Sequence, residues 1–268
     1  MSAVSAVTIS ERSAQWAQAH MRVWMLAGVS VLAFFGFAWP FVAPALPANA
    51  QSFAPGLAIL LTLVLAVLAL FALNDGISGA RTVALLGTLT AVGIAARLLS
   101  LGFGGIELVF VVLIIAGRAL GPTFGFVLGA VVMLTSTMLS GMIGPWLPYQ
   151  MFAAGWVGLG AGLLPGRRTA ALTRGRVAEL ALLSLYGMIA AYLYGLILNL
   201  WFWPFAVGGQ TSISYDAAAP LGENIMSFLT YSLVSSTLTW DTVRAITTVA
   251  GLAVLGFPLL AALRRSRA

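Results

Sequence analysis

Four charged side chains fall where apolar runs should exclude them: Arg97 and Glu107 flank a short loop, and Asp241 and Arg244 open the last run. Charges at membrane depth are costly and are usually paired or functional. The long stem of Arg97 can snorkel to the outer headgroups, or its head can pair with Glu107 across the loop. For Arg244 the simplest partner is Asp241 at i−3. Alternatively, two arginines and two acids at one level describe a polar cavity open to the outside. Thr135, Ser136 and Thr137 share that level, as do Trp146, Tyr149 and Gln150 around a Gly-Pro-Trp-Leu-Pro turn, and Asn199, Trp201 and Trp203 at the end of a later run. Tryptophans at span ends ordinarily form an interfacial belt, the expected role of Trp201 and Trp203. The amides of Gln150 and Asn199 need partners, which a neighbouring helix or a ligand can supply.

Other chemistries are excluded or unsupported. The chain has no cysteine, and its one histidine, His20, lies in the N-terminal tail. A Cys-His or Ser-His couple and a His-containing metal site within the apolar part are therefore not expected. No catalytic residue, cofactor or metal is assigned, and the chain is not read as an enzyme. All 13 basic residues are arginine. Without lysine the chain cannot supply a Walker phosphate-binding loop and is not itself an ATPase of that type. Its net charge of +6 reads as cytoplasmic loops rather than as a nucleic-acid surface.

These residues must be held by membrane helices. With 61% hydrophobic and 7% charged residues, the chain has a mean hydropathy of +1.03. A spanning helix takes about 20 apolar residues, so the length fits several spans and no large soluble domain. Residues 1–20 read as a cytoplasmic tail. Residues 21–80 carry two N-terminal spans, at about Met21–Trp39 and Gly56–Leu73, the second ending in the turn Asn74-Asp75-Gly76. Further spans follow at about Thr82–Leu99, Ile106–Ala116, Pro122–Leu139, Tyr149–Leu164, Ala178–Phe202 and Asp241–Leu263. The Ser- and Thr-rich stretch 224–238 reads as an interfacial or re-entrant helix, and 264–268 as a basic cytoplasmic tail. This all-α arrangement of about eight spans puts Arg12, Arg22, Arg81, Arg118, the Arg167–Arg176 cluster and the Arg264–Arg267 tail on one side. Both termini are then cytoplasmic, with Arg97 and Arg244 as the two exceptions.

Two small-residue ridges run along these helices: Gly87, Ala91 and Ala95 in the third span, and Gly121, Gly125 and Gly129 in the fifth. Such spacing permits close helix approach, either within the chain or against another membrane subunit.

The stretches GTLTAVGIAARLL, IIAGRALGPTFGFVLGAVVMLTS and GMIGPWLPYQMFAAGWVGLGAGLLP, between about Gly87 and Leu164, resemble the substrate-binding S component of energy-coupling factor (ECF) vitamin importers. The resemblance implies a six-helix core, here 81–263, that captures a vitamin or related micronutrient at the outer face of the cell membrane. It also implies a membrane scaffold (T) subunit and two cytoplasmic ATPases as partners. The scaffold contact would fall on Gly87, Ala91 and Ala95. Substrate contacts would fall among Arg97, Glu107, Thr135, Trp146, Tyr149, Gln150, Asn199, Asp241 and Arg244. Resemblance to actinobacterial S components makes cobalamin the leading substrate. Spans one and two depart from the six-helix pattern, leaving a shared or a dedicated scaffold open. A self-sufficient secondary transporter or channel, coupled to an ion gradient through the four charges, is the competing expectation.

Overall fold

In hydrocarbon every backbone N–H and C=O must be paired within its own segment, so apolar runs of this length become helices. The computed structural model describes residues 24–74, 79–100, 104–165, 173–208 and 211–267, and every regular element among them is helical. The tail 1–20, Arg22, Asp75-Gly76, Leu101, and Arg167 and Arg168 of the basic cluster lie outside the described residues.

Helix α1 (Trp24–Phe37) is bent by 71° against the following Trp39–Ala45, which contains α2 (Trp39–Val42) and a 3-10 turn (Ala43–Ala45). Pro40 lies in the first turn of α2, where its missing N–H costs nothing, while the same ring would break the ladder if α1 ran on through it. Short α3 (Ala48–Gln51) leads to α4 (Ala54–Asn74), and then come α5 (Ala80–Ser100) and α6 (Val109–Leu120). The remaining helices are α7 (Pro122–Ser140), α8 (Leu147–Leu163), α9 (Thr173–Ala206), α10 (Leu221–Ser232) and α11 (Thr242–Arg267). Among the described residues four helices are long and apolar enough to cross a membrane, or five if the bent α1–α2 pair is one span.

The stretch 224–238 departs from expectation. It does not re-enter: α10 passes through a π-helical segment (Leu233–Asp241) into α11, giving one helix from Leu221 to Ser266. No glycine or proline occurs between Glu223 and Ala250 to break it. Its Ser and Thr hydroxyls bond to carbonyls of their own helix, as Thr230 does to Met226 (2.9 Å) and Thr242 to Thr237 (2.7 Å), so the polar composition does not force an exit. At about 1.5 Å per residue this helix exceeds the ~30 Å hydrocarbon layer, so part of it stands outside.

The core is a junction of α6, α7 and α8. Gly121 adopts φ 117°, open to glycine, and turns the chain from α6 into Pro122. A Cβ on Gly117 or Gly125 would strike the Gly158 carbonyl, and one on Gly129 the Ala154 carbonyl. The ridge of the fifth span is therefore an internal packing face. At the end of this junction Arg118 is buried and donates to Glu179 Oε1 (2.7 Å), Leu164 O (2.6 Å) and Pro165 O (3.1 Å). Arg264 reaches the same Glu179 oxygen at 2.6 Å, so one carboxylate ties α6, α9 and α11 together.

Helix α5 is different. Only 6% of its apolar window is buried, against 61% for α7. Its Gly93 packs on Val132 of α7, while Gly87, Ala91 and Ala95 are exposed.

Gly158→Ala should cost ~1–3 kcal/mol through overpacking. Gly87→Ala, with nothing within 4 Å of the added carbon, should leave stability unchanged. Unfolding of the purified protein by SDS titration in mild detergent measures both.

Candidate functional site

The loop after α5 turns on Gly104 (φ 41°) and Gly105 (φ 90°), and Gly105 lies so close to the Trp240 backbone that no side chain fits. This approach carries Glu107 to Arg244. The Arg244 guanidinium donates Nε to Glu107 Oε2 and Nη1 to Asp241 Oδ1, and lies 5.1 Å over the Tyr194 ring and 5.7 Å over that of Phe110. Both carboxylates thus compensate one cation, with two ring faces completing its shell.

Asp241 is buried against Gly195, where any Cβ would strike its carboxylate. Its Oδ2 accepts from Ser236 Oγ (2.9 Å), and Asn199 Nδ2 donates to Ser236 (2.6 Å) and Ser232 (2.9 Å). Tyr192 and Thr242 hydroxyls meet at 3.0 Å alongside. The π-helical segment supplies Ser236 and Asp241; such segments are frequent at functional sites.

The Arg244–Asp241 pair is therefore the one the sequence indicates, while Glu107 pairs with Arg244 instead of Arg97. Arg97 meets no acid among the described residues: half-buried, it donates to Gln150 Oε1 of α8 (3.0 Å) and to Met133 Sδ of α7. Its donors are directed at α7 and α8.

Tyr149 stands in a second, aromatic group. Fully buried, it stacks on Trp201 (4.6 Å, 4° between planes) and meets Phe37 edge-on at 4.8 Å. Trp201 and Trp203 do not form an exposed belt. Both are buried beneath α2, α10 and the segment 211–220, which close over that end of α9. Trp39 Nε1 donates to Trp201 O (2.9 Å) and Trp203 Nε1 to Ile213 O (2.7 Å). Tyr215, its phenol held above the ordinary value by burial and by Asp216, stays protonated and donates to Pro40 O (2.8 Å). Trp146 is partly exposed beside Gly144, and Thr135 is half-buried outside both groups.

A cavity of about 410 Å³ lies beside the charge cluster, lined by Phe34 of α1, Trp156 of α8, Tyr186, Leu193 and Tyr194 of α9, and Phe228 of α10. Tyr194 joins the two places: its ring backs Arg244 and also lines the cavity. Among the described residues no three His, Cys, Asp or Glu side chains gather where a metal ion could be held.

Tyr194, Gly195, Ser232, Ser236 and Glu179 are structural participants that the sequence reading passes over. A readable signal existed for some: Ala191, Gly195 and Asn199 recur every four residues on α9, as do Ser232 and Ser236 on the facing helix. No protein-family model, curated protein or solved structure matches this chain.

Arg244→Gln strands two carboxylates and should destabilise the fold by ~3–5 kcal/mol. Glu107→Gln, which leaves Asp241 on the arginine, should cost less, ~1–3 kcal/mol. The double variant should recover part of the Arg244→Gln loss in the same SDS titration.

Proposed function

We propose that this chain is the S component of an ECF-type importer. In this role it captures a vitamin or related micronutrient at the outer face of the cell membrane. It passes the ligand on through a scaffold subunit driven by two cytoplasmic ATPases, an activity the lysine-free chain cannot supply itself. The observation that carries this reading is α5. It is barely packed against its own chain, it presents Gly87, Ala91 and Ala95 outward, and its far end delivers Arg97 to Gln150. A smooth exposed ridge that runs up to a polar head suits a helix that docks on a partner and senses ligand.

Eight crossings with both termini cytoplasmic complete the reading, with the bent α1–α2 pair, α4 and the shorter helices α6 and α8 also spanning. Residues 81–263 then form the six-helix core, and α1–α4 an addition that lends Phe37 and Trp39 to the outer aromatic group. Cobalamin remains the leading substrate on resemblance. Among the nine proposed ligand-facing residues, Arg97, Gln150 and Trp146 are partly accessible, whereas Asp241, Arg244 and Tyr149 act from behind.

One observation favours a second reading, a secondary transporter driven by an ion gradient: buried Asp241 and half-buried Ser236 and Asn199 form a hydrogen-bonded relay against Arg244. Uptake by the lone protein in liposomes under an ion gradient, without ATP, would support it.

Co-expression with a scaffold and ATPases should give ATP-dependent vitamin uptake. Ala91→Leu or Ala95→Leu should lower uptake roughly tenfold, equivalent to ~1.4 kcal/mol of docking, while ligand binding to the isolated chain is unchanged. Equal loss of binding and uptake, or no loss of either, would remove α5 as the docking helix.

A further inference from the structure

Resting on the importer reading, we propose that Arg97 is the anion-recognising group of the ligand site, and that the captured solute carries a carboxylate or phosphate. Four arginines among the described residues are buried or half-buried: Arg97, Arg118, Arg244 and Arg264. Three of them hold a carboxylate, Arg118 and Arg264 sharing Glu179 and Arg244 taking both Glu107 and Asp241. Arg97 has no carboxylate within ion-pair distance among the described residues, and its donors end on the neutral acceptors Gln150 Oε1 and Met133 Sδ.

The acids account for this. Of seven in the chain, Glu107, Asp241 and Glu179 are committed as above. Asp216 and Glu223 belong to the region of the 211–220 segment and the start of α10, and Glu11 and Asp75 lie outside the described residues. A guanidinium inside a protein in hydrocarbon is retained at a cost of several kcal/mol unless a counter-charge meets it.

The surroundings are rich in donors, as an anion requires. The Gln150 amide nitrogen remains available while its oxygen is held by Arg97, and the Tyr194 phenol adjoins the same cation. A second, independent sign comes from Thr137. It lies one turn beyond Met133 on the same face of α7, is only 2% exposed, and its hydroxyl has no partner among the described residues. A buried hydroxyl without a partner costs ~1–3 kcal/mol, and a ligand oxygen at that level would satisfy it. Phospholipid headgroups share the anionic chemistry. However, Arg97 is directed at α7 and α8 rather than along the lipid-facing side of α5, where Leu98 and Leu99 are exposed, so a small solute is the fitting occupant.

The test is native mass spectrometry of the full chain, expressed in cells supplied with a vitamin mixture and purified in detergent, as wild type, Arg97→Gln, Arg97→Lys and Thr137→Val. The expected result is a bound small molecule with a carboxylate or phosphate. Its occupancy should fall at least about tenfold in Arg97→Gln, be partly kept in Arg97→Lys, and fall about threefold or more in Thr137→Val. The melting temperature of ligand-free Thr137→Val should not drop, because a merely structural hydroxyl would lower it and an unpartnered one would not. A bound molecule without an acidic group, a phospholipid as the sole bound species, or undiminished occupancy in Arg97→Gln overturns this inference alone. No bound molecule in the wild type under these conditions counts against the importer reading and removes the inference with it.

Discussion

A guanidinium held within hydrocarbon must be surrounded, and much of this architecture follows from how Arg244 is. Two carboxylates from different segments and two aromatic faces converge on it. Meeting them fixes the 104–108 loop against the backbone of Trp240, presses Asp241 onto Gly195, and locks α11 to α6 and α9. Arg118 with Glu179 repeats the device at the opposite end, where a second arginine, Arg264, shares the acid. Helix α11 is thereby anchored to α6 and α9 at two levels. Water would weaken such pairs; a bilayer leaves them no alternative partner.

Glycine does the complementary work. Where charge ties the helices at their ends, Gly117, Gly125 and Gly158 let α6, α7 and α8 touch backbone to backbone between them. Without a hydrophobic driving force between helices in lipid, close van der Waals contact is what remains to hold a bundle together. On α5 Gly93 packs on Val132, but Gly87 meets nothing within 4 Å, and that difference in surroundings, rather than in sequence, sets α5 apart as the least buried of the long apolar helices.

The N-terminal helices are integrated and not appended. Trp39 bonds the Trp201 carbonyl, Ser30 accepts from Trp156 Nε1 at 2.9 Å, and Phe37 closes the edge of Tyr149. They convert what would be a lipid-facing aromatic end of α9 into a buried cluster, and Phe34 makes one wall of the neighbouring cavity.

The sequence by itself determined that this chain is a bundle of apolar helices, because composition and run length leave the backbone no other way to satisfy itself in lipid. It also indicated the Asp241–Arg244 pair, since residues three apart on a helix lie on one face, and marked Gly121, Gly125 and Gly129 as a face for close approach, though not against what. Tertiary structure decided the rest. That Glu107 belongs to Arg244 and not to Arg97 depends on which face α5 turns to α7, a rotation that hydropathy does not encode when lipid and protein interior are equally apolar. The burial of Trp201 and Trp203 depended on a cover drawn from residues about 160 positions earlier. The continuity of α10 with α11 depended on Ser and Thr hydroxyls bonding to their own helix, which makes a polar-looking stretch as helical as its neighbours.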